Sequence, residues 1–454
     1  MAVEKGPLTA PDLVEQRQSR INHDSIVLTA SYGLTGAIGI LFWVVAARNM
    51  TAVQLSTETA VVSVATAASQ VAWQGIAHAF LSMMPSAGVG TIRLLLRGYL
   101  LVLVVSLFTG LTASLFAVLI LDGLASVWWT FLSITLAAMV LAIYSVQDPV
   151  LTAFGKANWL LYENVPVSIA KLASLPWFAA MVINRNPALL ATMLPTAVAV
   201  LVVSGAVVPR MVRRQRLEFS IQRVLRKDIA HTNAELGERW MADHSGVFGM
   251  FALRDGIASA LSSGIVLILP FVVTALTQRH GPIQGGLFAL CIQLGAGLDL
   301  ITSGAAVSLV TNVTDDPVRG PAAAIRMWKR LLVLISIAGT LLVAGTPIMI
   351  WLWGKAEYRQ RDVQLVIAVL ALGSLLHVTY EVWIALLRAQ GKTLTQLICS
   401  SFSSVALLTL VIVLARNHGA LGAAIAIATV NATLLLVSSI GLSRARHYYQ
   451  PRHI

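Results

Sequence analysis

Uncharged runs of about 20 residues, the length a helix needs to cross ~30 Å of hydrocarbon, recur along this chain. They occupy residues 25–47, 59–92, 98–121, 123–147, 186–209, 256–278, 331–354, 393–415 and 417–443. Three further apolar stretches carry embedded charges: 157–184 with Glu163 and Lys171, 281–314 with Asp299, and 363–387 with Glu381. A β-barrel would show alternating segments of ~10 residues, whereas these runs are continuous, so helices are the expected form. Hydrophobic residues make up 57% of the chain and charged ones 11%, far below the roughly 25% charged of a soluble domain. An all-α, polytopic membrane protein of about twelve transmembrane helices is expected.

Lysine and arginine set the orientation. With an inward N-terminus, 23 of the 32 basic residues fall on the cytoplasmic side and seven on the other, which predicts both termini inside. The net charge of +12 is then mostly charge facing anionic membrane lipids, and no nucleic-acid partner is needed to explain it. Residues 1–24 carry Asp12 and Glu15 among their basic residues and read as a cytoplasmic tail, not a cleaved signal peptide. Cys291 and Cys399 both fall inside spans and read as packing residues. No metal-ligand cluster, dinucleotide loop or nucleophile elbow is present in the sequence, so no cofactor, metal or catalytic residue is expected.

Gly391-Lys392-Thr393 has the look of the end of a phosphate-binding loop, but Leu386 stands where that loop requires glycine. The segment instead echoes an earlier one. YSVQDPVLTAFGK at 144–156 and YEVWIALLRAQGK at 380–392 agree at Tyr, Val, Leu, Ala, Gly and Lys, at an offset of 236 residues. That offset spans six helices. Six is even, so the two halves share one orientation, as in a parallel repeat about an axis along the membrane normal. The expected organisation is a tail (1–24), a six-helix half (25–209), a basic cytoplasmic linker (210–246), a second six-helix half (247–443) and a C-terminal tail (444–454). Within the linker, Leu217, Ile221, Val224, Leu225 and Ile229 recur at helical spacing beside seven basic residues between Arg210 and Lys227. That pattern suits either a helix on the inner membrane face or ordinary anchoring of a linker.

Two six-helix halves, FWVVAARNM at 42–50, LLRAQGK closing the tenth span, and NHGALGAAIA at 417–426 together resemble bacterial polysaccharide flippases. That family is a branch of the superfamily containing the MATE multidrug exporters, and the resemblance covers essentially the whole chain. It implies a MATE-like fold in the bacterial plasma membrane. It also implies ATP-independent flipping of a polyprenyl-diphosphate-linked oligosaccharide to the outer leaflet by alternating access, coupled to a proton or sodium gradient. Polysaccharide-assembly proteins are possible partners. A MATE-type drug exporter is the alternative. A membrane-embedded polymerase or ligase would need a larger outer loop than 354–362.

Mid-span charges cost about 2.5–3.5 kcal/mol each on insertion scales and normally face the bundle interior. Lys171, near the centre of the fifth span, is a candidate ligand for diphosphate; the other reading is an ion pair with Glu163 or Asp299. Arg254, at the cytoplasmic end of the seventh span, either meets the same diphosphate or snorkels to the interface. Asp299, far from other charges in sequence, is the leading candidate to take up and release a proton, with Glu163 as a further carboxylate. His377 and Glu381, four residues apart, share a helix face and form either a proton relay or a contact between packed helices. His78 reads as a packing histidine. Lys171 and Asp299 are expected to line one cavity between the halves.

Overall fold

The computed structural model describes residue 31 and residues 33–448, except 123, 125, 157, 182–185, 226–232, 280, 316–319, 359–361 and 390–391. Among these residues every regular element is helical. The first half contains α1 (Gly33–Asn49), α2 (Ala52–Ala87), α3 (Thr91–Ile120), α4 (Val127–Ala153), α5 (Asn158–Met181) and α6 (Pro187–Val202). A π turn over Val203–Val207 carries α6 into α7 (Val208–Leu225). A second, over Ala260–Gly264, joins α8 (Asn233–Ser259) to α9 (Ile265–Thr277). Then come α10 (Ile283–Asp315), α11 (Gly320–Ala344), α12 (Thr346–Trp353), α13 (Asp362–Ala389) and α14 (Thr393–Tyr448). α14 bends at Gly419 (φ 56°, ψ −132°), so it makes two passes. Among the described residues, seven helices are long and apolar enough to cross a membrane on their own. With the kinked and shorter ones, the chain makes a polytopic bundle of two six-helix halves.

The 236-residue echo is visible in three dimensions. Lys156 N–H donates to the Leu151 carbonyl at 3.0 Å, and Lys392 N–H donates to the Leu387 carbonyl at 2.9 Å, the same bond one repeat later. Gly155, at φ 66°, occupies the left-handed position that lets α4 close this way, and its N–H reaches the Thr152 carbonyl at 2.8 Å. The Gly-Lys pair of 155–156 is thus a helix stop, and the Lys392 bond gives α13 the same ending. Burial repeats as well. In the most apolar stretch of each helix, α4 and α13 are 50% and 56% buried, while α3 and α11 are 22% and 17% buried. The first pair forms the inside of each half and the second pair faces lipid.

The halves meet along α2, which packs on α8, the second π turn and α9. Ala60, Ala65, Ala72 and Ala79 keep α2 slim and fully or almost fully buried. At Gly75 the approach is closest, because an added Cβ would collide with the Ala252 carbonyl and the Gly256 backbone. At the end of the bundle away from Arg93, Lys156 and Arg388, Arg48 Nε donates to the Leu352 carbonyl at 2.6 Å. Lys355 reaches the Met50 carbonyl, and Ser56 Oγ donates to the Pro282 carbonyl at 2.6 Å while accepting from Gly286 N–H at 2.7 Å. At the other, basic end, His78 of α2 contacts Asp255 of α8.

Candidate functional site

Among the described residues, each half holds a group of buried polar side chains that includes candidates from the sequence. In the first half α4 and α5 run antiparallel from the tight turn at Gly155, which brings Asp148 opposite Asn164. Asn164 Nδ2 donates to the two Asp148 oxygens at 3.3 and 3.2 Å, and Tyr144 Oη donates to Asn164 Oδ1. Gln147 Nε2 donates to Ser204 Oγ in the first π turn at 2.7 Å. Lys171 Nζ lies 5.4 Å from the centre of the Tyr144 ring, a cation–π contact. Among the described residues no carboxylate comes within 4.0 Å of it, so the alternative ion pair with Glu163 or Asp299 is not formed. Glu163 is buried with both carboxylate oxygens lacking a hydrogen-bond partner.

In the second half His377 Nε2 and Glu381 Oε1 are 3.0 Å apart on α13. Asp299 of α10 lies beside them and beside Ser374, so the three titratable groups singled out in the sequence form one cluster. His377 also neighbours Asn431 of α14, whose Nδ2 donates to the Gly373 carbonyl at 3.1 Å. Tyr380 Oη and Ser400 Oγ are 3.5 Å apart. They are the repeat counterparts of Tyr144 and Asn164, so a tyrosine bridging the fourth helix of a half to its fifth is a shared device.

Lys171 and Asp299 therefore belong to different clusters with different neighbours, one in each half. Their halves carry separate polar centres because each fourth helix bonds within its own half. Arg254 is exposed on α8 and lines a shallow cleft of about 250 Å³ with Val247, Met250 and Phe251, apart from Lys171. Of the 210–246 segment, the structure describes α7 as the continuation of α6. Side chains 218–243 lie outside the described residues, so the expected apolar face there goes largely unobserved.

Solved structures share the fold. An inward-facing conformation of a multidrug resistance MATE family transporter of the MOP superfamily is 16% identical, with a TM-score of 0.61 over 94% of this chain and 98% of that one. The chain has the MATE transporter fold. An outward-facing conformation of such a transporter is 14% identical, with a TM-score of 0.61 over 93% and 96%. A MATE protein in complex with MaL6 is 14% identical, with a TM-score of 0.60 over 94% and 97%. No protein-family model matches the chain, and no curated protein matches it by sequence.

In this MATE-like bundle several participants escaped sequence reading. Asp148 stands at the end of an apolar run, and only the tight α4–α5 hairpin pairs it with Asn164, sixteen residues on. Tyr99, Gln147 and Ser204 carry no charge and stand in unbroken apolar runs. Glu58 sits one residue before such a run. It is buried, and its Oε2 accepts from Ala188 N–H at 3.0 Å, capping the start of α6.

Proposed function

We propose that this chain is a multi-pass membrane transporter that exports an amphiphilic organic solute by alternating access, driven by an ion gradient. The observation that carries the reading is the MATE-like fold over 94% of the chain, with equal likeness to an inward-facing and an outward-facing transporter. On this reading the Asp299–His377–Glu381 cluster takes up and releases the coupling ion. Its members sit on two packed helices of the second half, α10 and α13. The basic end faces the cytoplasm by the positive-inside rule, in a bacterial plasma membrane. Drug-like cations are the favoured cargo, because the similar solved structures include multidrug resistance transporters.

A second reading rests on one observation. Lys171 is a mid-span ammonium with no carboxylate partner among the described residues, which suits a diphosphate headgroup better than a cationic drug. Its cargo would be the polyprenyl-diphosphate oligosaccharide, with Arg254 at the approach, and its partners anionic lipids and polysaccharide-assembly proteins.

One deletion strain separates the two. An exporter of drugs predicts greater sensitivity to cationic drugs and normal surface polymer. A flippase predicts lost polymer and a lipid intermediate trapped on the inner leaflet. If neither phenotype appears in a strain with no second transporter of the kind, both cargo readings fail. In vesicles, Asp299→Asn should abolish the response of transport to a pH or sodium gradient. Under the flippase reading, Lys171→Ala should reduce lipid transfer about tenfold, the loss of one charge-assisted contact. A Lys171→Ala protein with full lipid transfer removes that second reading.

A further inference from the structure

The seam between the halves is fastened at one end by side chains that cross it to the end of a helix. Arg48, at the close of α1, donates from Nε to the Leu352 carbonyl in the last turn of α12 at 2.6 Å. Lys355, just past α12, reaches back to the Met50 carbonyl, just past α1. Gln278, at the end of α9, donates from Nε2 to the Ile120 carbonyl, the last of α3, at 3.1 Å and accepts from the Asp122 N–H at 3.2 Å. Carbonyls in the last turn of a helix have no donor within it and lie at the negative end of its dipole, so a cation or donor from the facing half suits them. The fastening is reciprocal, since α1 and α12 are each met by a cation from the other side.

Charge placement singles out the same seam. Of the seven basic residues assigned to this end, four are described: Arg48, Arg279, Lys355 and Arg416. Three of them reach across the halves, because Arg279 Nε lies 3.6 Å from Asp122 Oδ2. One turn into α2, Ser56 is 2% exposed and bonded to both the Pro282 carbonyl and the Gly286 N–H of the second half. Trp43, Ala46 and Ala47 of α1 share one buried apolar core with Trp353 and Tyr358. A rim of polar bonds thus lies over a layer of buried contact. Arg48 and Arg279 are exposed, so water replaces their bonds when the halves part, and each bond alone is weak.

We propose that Arg48, Lys355 and Gln278 are the latch of an outer gate, closed in this structure, and that their bonds set how often the bundle opens on that side. The inference rests on the alternating-access reading and holds for either cargo. The tight Gly75 crossing of α2 and α8 lies about 35 Å along α2 from its start and is no part of the latch.

Ser56→Cys places a thiol on the sealed face. In a chain whose Cys291 and Cys399 are changed to alanine, the purified full-length protein in lipid nanodiscs is treated with a water-soluble maleimide, which reaches both sides, and the labelling rate is read. Labelling should be slow with the latch intact. It should rise about fivefold in each of Arg48→Ala, Lys355→Ala and Gln278→Ala, the loss of about one hydrogen bond from the closed state. Arg416→Ala, which removes an exposed cation of α14, should leave the rate unchanged. A second reporter, Ala252→Cys, stands at a buried position of the basic end and should react no faster in any latch variant. Should an alanine variant not fold, Arg48→Gln and Lys355→Gln carry the test. A Ser56→Cys thiol that reacts as fast with the latch intact as without it overturns the proposal. So does a parallel rise at Ala252→Cys, which would mark a loosened bundle. Labelling needs no cargo: a latch that responds as expected while the deletion strain shows neither phenotype keeps the gate and removes the cargo readings, and the converse removes the gate alone.

Discussion

Glu58 shows how much one side chain can do where no water is available. The first N–H groups of α6 point into the bundle, and the Glu58 carboxylate accepts from Ala188 there. Replacing Glu58 with Ala leaves buried donors unfilled and should cost about 1–3 kcal/mol, read as a lower unfolding temperature in detergent. Glu58→Gln, which keeps an acceptor oxygen, should lose much less. Equal stability of wild type and Glu58→Ala would show that the cap contributes nothing. The sequence could not reveal this role, because pattern reading finds a charge by its isolation and Glu58 lies at the edge of its run. Asp299, His377 and Glu381 were found for the opposite reason: each interrupts an apolar stretch. Their grouping was only half legible, since helical spacing joins His377 to Glu381 but cannot say which other helix faces them.

At the scale of elements, the spans were legible because hydrocarbon thickness dictates their length, and the helix stop at Gly155-Lys156 because it occurs twice. Contacts between helices were not, since small residues lining α2 look alike from every side. Gly75 is the sharpest case. Its Cβ position is filled by the backbone of α8, so Gly75→Leu must push α2 and α8 apart. Overpacking of this kind costs about 1–3 kcal/mol or more. A large fall in unfolding temperature is expected for Gly75→Leu but not for leucine at Gly39, which meets nothing within 4 Å. If both substitutions behave alike, the close crossing of α2 and α8 is wrong. The His78–Asp255 contact lies on the same seam, one helical turn from Gly75, which is why His78 is more than a packing histidine.

For the whole molecule the first test is orientation. Single cysteines at Glu357 and Asn417 should react with an impermeant thiol reagent applied outside the cell, while cysteines at Arg213 and Lys392 should react only after permeabilisation. All four of these side chains are exposed. Reversed labelling would sink the cytoplasmic placement of the basic end. The two π turns bear on the chain in another way. One lies on each side of the segment joining the halves, and each turn holds one residue more than an α-helix uses. Such a turn absorbs an insertion locally, so α6 and α7 keep their faces, with Val207, Val208 and Val212 all directed into one core. Deleting Gly205 should therefore regularise the helix and still give a folded protein, whereas a deletion inside α4 turns every later residue by about 100° and should not. Changes of length beside the joint between the halves should therefore be absorbed where changes inside α4 should not.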